Sequence, residues 1–142
     1  MQLLNESQMR KTTEQVMADL GVTTLRSVRQ RVATLSGGQR QSVAVARAVL
    51  WNSRVVVLDE PTAALGVVQT EQVLALVKRL AAQGLAVVLV SHNLNDVFQV
   101  ADRITVLHLG RNAGVFERAT TSQEEIVLAI TTGNRAQPTG GP

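Results

Sequence analysis

The sequence has 142 residues, a formal net charge of +3, and hydrophobic and charged fractions of 45% and 18%. That length and balance suit one domain with a real core and exclude wholesale disorder. Scattered arginines and 2% aromatics leave almost nothing on which bases stack, which argues against nucleic acid, and the lack of cysteine excludes disulfides and thiolate metal sites.

The leading residues, Met1-Gln2-Leu3-Leu4-Asn5-Glu6, have neither the basic start nor the long apolar stretch of a signal peptide. Residues 7–20 place Met9, Val16, Met17 and Leu20 near helical spacing, with Gly21 as a C-cap. A shorter helical piece is expected over residues 25–32, with Arg26, Arg29 and Arg31 on a solvated edge. Ser36 reads as the N-cap of a helix running to about Leu50, with Val43, Ala44, Ala46, Val49 and Leu50 apolar. After Arg54, residues 55–58 are apolar at every position, the pattern of a strand covered on both faces in a parallel sheet. Val73, Leu76, Val77 and Leu80 form a helical stripe that ends near Gly84.

Residues 85–90 read as a second buried strand, too short to span a bilayer, and residues 94–101 as a short helix. Residues 104–109 and 113–116 flank Gly110-Arg111-Asn112, read as a hairpin turn. A last helix is expected over residues 122–130. From Gly133 onward too little apolar surface remains to order the chain, so 133–142 is expected to be a disordered tail. The alternation of strands and helices gives an α/β class with a mainly parallel sheet.

Three sites carry the chemistry. In Leu35-Ser36-Gly37-Gly38-Gln39, a serine at a helix start presents a hydroxyl where unpaired backbone N–H groups point outward. Two glycines remove the Cβ atoms that would keep a ligand away, and the helix dipole favours an anion such as phosphate. Alone, the same residues also make an ordinary Ser-capped helix after a Gly-Gly turn. The strand over residues 55–58 leads into two adjacent carboxylates, Asp59 and Glu60, at a strand end, where ligands gather in open α/β sheets. Successive side chains diverge there. Asp59 suits a hydrated Mg²⁺, and Glu60 suits orienting and polarising an attacking water, a contribution worth about 10²–10⁴ in rate. Pro61 stops further pairing. The plain alternative is a solvated acidic turn. His92 follows the second strand and is expected on the same sheet edge, able to donate a hydrogen bond to a terminal phosphate. His108, inside a strand pattern without an acidic neighbour, reads as structural. No stretch fits G-x-x-x-x-G-K-[ST], and neither Lys11 nor Lys78 follows a glycine.

In this order the sites resemble the C-terminal half of the nucleotide-binding domain of ABC transporters, over about residues 7–117. Residues 35–39 match the family signature, 55–60 its Walker B strand, 63–66 its D-loop, and His92 its switch histidine. The phrasing Glu60-Pro61-Thr62-Ala63-Ala64-Leu65-Gly66, then Ser91-His92-Asn93-Leu94-Asn95-Asp96-Val97-Phe98, is most similar to the sugar-importer branch. The resemblance implies a partial P-loop NTPase domain over residues 1–132: a helical and signature region over about 1–50, a Walker B to switch-histidine core over about 54–117, and a terminal helix over about 118–132. It implies ATP and Mg²⁺ as cofactors. Ser36, Gly37, Gly38 and Gln39 would contact the γ-phosphate of ATP bound by the opposite subunit, Asp59 would be the Mg²⁺ partner, Glu60 the catalytic base, and His92 the phosphate sensor. The implied partners are a second nucleotide-binding domain, transmembrane permease subunits and, through them, a periplasmic or extracellular sugar-binding protein. That places the protein at the cytoplasmic face of the plasma membrane. One departure stands out: the D-loop usually closes with aspartate, where this sequence has Gly66.

The resulting expectation is an ATP-hydrolysing subunit of a carbohydrate importer, here a fragment without the phosphate-holding loop. The alternative is a non-catalytic module that supplies the signature in trans to a partner bearing that loop. A soluble ABC ATPase of DNA repair or translation would show coiled-coil heptads or long basic linkers, and neither is present. Phosphoryl transfer depends on holding the phosphates, so the isolated chain is expected to be inactive. Its sheet is expected to leave an exposed apolar edge.

Overall fold

The computed structural model describes residues 5–22, 25, 27–50 and 53–134, without the side chains of Ala48 and Val49. The described residues up to His92 form one compact unit and those from Asn93 onward a second.

In the first unit, α1 (Glu6–Asp19) starts at Asn5, whose side chain accepts from the Gln8 N–H. It ends in a Schellman turn: the Gly21 and Val22 N–H groups reach back to Ala18 and Met17, with Gly21 at φ +63°. Only the last turn of α1 is buried, through Met17 and Leu20, while Met9 stays 55% exposed. The helix expected over 25–32 is absent among the described residues, which show turns and then a 3-10 turn over Val32–Thr34. Arg29 and Arg31 are exposed there, and Arg26 lies outside the described residues. Leu25, Val28 and Val32 stand at helical spacing, but the piece is too short to nucleate a helix by itself and Val32 stays 54% exposed.

Next come α2 (Gly37–Leu50), β1 (Val55–Asp59), α3 (Val67–Ala82) and β2 (Ala86–Val90). α1 packs on α2, α2 on α3, and α3 on β2. The core of the unit comprises Leu20, Val45, Ala46, Val56, Leu58 and the α3 stripe Val73, Leu74, Leu76, Val77 and Leu80. At the far end of α3, the Arg79 Nε donates to the Leu20 carbonyl at 2.6 Å, satisfying an orphan acceptor at the end of α1.

β1 and β2 pair in parallel and in register, from Val55↔Ala86 to Asp59↔Val90. The expectation of strands covered on both faces is corrected here. β1 alternates exposed and buried, and no residue of β2 is fully buried. α3 covers one face, while the other leaves Val55, Val57, Val88 and Val90 between 48% and 65% exposed. An all-apolar strand reads identically with one covering layer or two. The apolar exposure is therefore a whole face of the pair as well as an edge.

The second unit holds α4 (Leu94–Val100), β3 (Arg103–His108), β4 (Arg111–Glu117) and α5 (Gln123–Thr132). β3 and β4 form an antiparallel hairpin with a register shift after Val106. Its turn is Leu109-Gly110, both at positive φ, rather than Gly110-Arg111-Asn112. Ile104, Val106, Ala113, Phe116, Ile126 and Ala129 form its core. Ser122 and Glu125 make a capping box at the start of α5. His108 is structural as expected: its Nδ1 donates to the Ile130 carbonyl at 2.6 Å, near the end of α5. Of the tail expected from 133, residues 135–142 lie outside the described residues.

Two substitutions test this packing. Val57→Thr with Val88→Thr changes only the open face and should lower dye binding by exposed apolar surface while shifting stability by about 0.5 kcal/mol or less. Leu80→Ala, under the covered face, should cost about 2–5 kcal/mol in denaturant unfolding.

Candidate functional site

The parallel ladder runs one step beyond β1, because the Glu60 N–H donates to the Val90 carbonyl at 2.9 Å. Glu60 then turns to φ +46°, ahead of the buried Pro61. A non-glycine residue in that region costs about 1–3 kcal/mol and persists only where its surroundings impose it. Two overlapping turns follow, with Ala63 N–H bonded to the Glu60 carbonyl at 3.1 Å and Leu65 N–H to Thr62 at 3.2 Å; Ala64 is also at positive φ, +57°.

This turn brings Glu60 to the residue that follows β2. One carboxylate oxygen, Oε1, accepts from the His92 backbone N–H at 3.1 Å and from its ring Nδ1 at 2.8 Å. A carboxylate only accepts, so Nδ1 carries the hydrogen and Nε2 is the ring's other functional atom. The hydrogen bond that His92 donates to Glu60, then the Glu60 charge, raises the His92 pKa above the usual 6.5, against an opposing desolvation. His92 thus stands on the same sheet edge as Glu60, as expected, and in addition touches it, with side-chain exposures of 84% and 36%. Asp59 ends β1 exposed, on the outer face with Val55 and Val57. Among the described residues no three His, Asp or Glu side chains gather into a metal cage. A single solvated carboxylate fits an ion that keeps most of its water, as Mg²⁺ does.

Residues 36–39 form a second group. Ser36 Oγ accepts from the Gln39 N–H at 3.3 Å, and Gln39 Oε1 accepts from the Ser36 N–H at 2.9 Å. This is a reciprocal capping box of the S-x-x-Q type. Arg40 Nη1 closes on the Leu35 carbonyl at 2.7 Å. The box leaves the Ser36 hydroxyl hydrogen and the Gly37 and Gly38 N–H groups, which lack intrahelical acceptors, as the donors of the turn. Both glycines are closely approached by side chains. A Cβ on Gly37 would stand 2.9 Å from Leu65 Cδ2, and one on Gly38 3.3 Å from Gln69 Cβ. Gln39, expected as a phosphate contact, is seen here bracing the turn, whereas Gln69, against Gly38, has no place in the expected site.

The ABC transporter family model matches residues 1–63. The chain is 44% identical over 135 residues to the fructose import ATP-binding protein FrcA of Rhizobium meliloti, covering 95% of this chain and 52% of that protein. It is 39% identical to the xylose/arabinose import ATP-binding protein XylG of Sulfolobus acidocaldarius, covering 90% and 51%. The chain therefore spans about half the length of these curated relatives. Among solved structures, the dimeric bacterial ABC transporter cassette MJ0796 matches with a TM-score of 0.67 at 28% identity, covering 83% of this chain and 50% of that one.

Two measurements check the geometry. NMR titration should place the His92 pKa above 6.5, and Glu60→Gln should return it toward that value. Because the folded-state pKa is the raised one, the stability from this pair is fully present below about pH 6.5 and is lost as pH rises through the folded value. Separately, Ser36→Ala should cost about 1 kcal/mol of stability by removing the cap on α2.

Proposed function

This chain belongs to the ABC transporter family, and from that premise we propose that it supplies the signature and hydrolytic elements of an ATP-binding subunit that drives import of a carbohydrate. The observation that carries the reading is the Glu60–His92 contact at 2.8 Å, at the carboxyl end of a parallel strand pair and beside Asp59. The sugar class rests on relatives whose cargo is fructose or xylose and arabinose.

In this reading Asp59 holds a hydrated Mg²⁺, which neutralises phosphate charge when bound. Glu60 orients the attacking water and accepts its proton. His92 donates from Nδ1 to Glu60, and only the imidazolium has a second hydrogen, on Nε2, to give to a terminal phosphate oxygen. The raised pKa favours that doubly protonated form. The Ser36 hydroxyl with the Gly37 and Gly38 amides meets the γ-phosphate of ATP held by a second cassette, Gln39 bracing the turn. The partners are that second cassette, membrane permease subunits and, beyond them, a sugar-binding protein, which puts the subunit at the inner membrane face. Among the described residues no helix is long and apolar enough to cross a membrane.

With no G-x-x-x-x-G-K-[ST] in its sequence, the isolated chain should show no ATPase rate above background. The decisive experiment grafts this chain onto the part of the Rhizobium fructose import ATP-binding protein that it does not match. The chimera should hydrolyse Mg-ATP, and Glu60→Gln should lower kcat by about 10²-fold or more. A folded chimera without hydrolysis, or one indifferent to Glu60→Gln, overturns the reading.

A further inference from the structure

We propose that Gln69 is a positioning residue that ties the signature turn, residues 36–39, to the loop 63–66, and that Gly66 is there to admit it; the functional weight of the two segments rests on the cassette reading above.

The two segments lie far apart in sequence but meet through the start of α3. Leu65 Cδ2 is 2.9 Å from where a Cβ on Gly37 would be. The Gln69 stem lies against Gly38, its Cβ and Cγ at 3.3 and 3.4 Å from the corresponding point there. The other end of the same side chain lies over the loop: Gln69 Oε1 is 2.7 Å from where a Cβ on Gly66 would stand. One side chain thus spans both segments, its stem on the buried Gly38 and its amide on Gly66.

The stem alone does not explain glutamine, because an apolar unbranched residue would seal Gly38 as well. The amide does. Gly66 is the N-cap of α3 and has no side-chain oxygen with which to cap it. Gln69 sits three residues on, at the position from which a glutamine reaches back toward the N-cap. Its oxygen therefore brings a polar group to the helix start that Gly66 leaves bare. A Cβ at 66 would stand 2.7 Å from that oxygen, so the Gln69 amide would have to turn aside to admit a side chain there. Through these two contacts a displacement of the signature turn toward α3 would press on Gln69 and reach the loop 63–66.

The test uses backbone amide resonances of the 142-residue chain, without nucleotide, so its result is independent of the hydrolysis assay above. Gln69→Ala should shift the resonances of Gly37 and Gly38 together with those of residues 65–67. Gln69→Met, which keeps the stem and drops the amide, should restore Gly37 and Gly38 but leave residues 65–67 shifted. Gly66→Ala should disturb Gly38 through the displaced Gln69, and should no longer do so when combined with Gln69→Ala. Shifts confined to the first turn of α3 in Gln69→Ala, failure of Met to restore the glycines, or a Gly38 response to Gly66→Ala that persists without Gln69 would each overturn the proposal.

Discussion

The in-register pairing of β1 with β2 is the constraint on which the site depends. Because Asp59 stands opposite Val90, the two strands leave the sheet at the same level, and the Glu60 N–H takes the last carbonyl of the ladder. A slip of one residue would invert the inward set Val56, Leu58, Val87 and Leu89 against α3, so burial itself holds the register. The left-handed backbone of Glu60 runs against the extended preference of a residue before proline. The site is thus held by the hydrophobic contact of α3 with one sheet face, more than by any bond within it.

Much of this was legible in the sequence. Ser36 capping α2, the paired carboxylates closing a short apolar strand, and His92 following a second such strand could all be placed from residue type and spacing, because each follows from a local rule of helix starts or strand ends. The helix stripe Val73, Leu76, Val77 and Leu80 was legible for the same reason, and α3 buries all four. What escaped reading depends on the third dimension. The run Val55 to Leu58 has the same letters whether one or two layers cover it. Leu65 and Gln69 carry no local sign that they face Gly37 and Gly38. Residues 25–32 set Leu25, Val28 and Val32 at helical spacing among polar letters, but packing rather than spacing decides whether so short a segment becomes a helix.

The capping box gives the signature turn a particular character. Its two polar side chains already satisfy each other's backbone partners, so the turn is formed before any ligand arrives. An anion seated there meets amides fixed in place and forfeits little conformational entropy in ordering them. The same box limits chemical freedom, since neither side chain can swing toward a ligand without giving up a bond to the helix start.

The open face of the strand pair has an electrical consequence. Asp59 projects on the same side as Val55 and Val57, at the end of the apolar row. Matter laid over those valines also displaces water from around the carboxylate. In a medium of lower permittivity its attraction for a divalent cation strengthens, and so does the penalty for leaving it bare. Covering the sheet and holding the ion are therefore coupled through the dielectric around one oxygen pair.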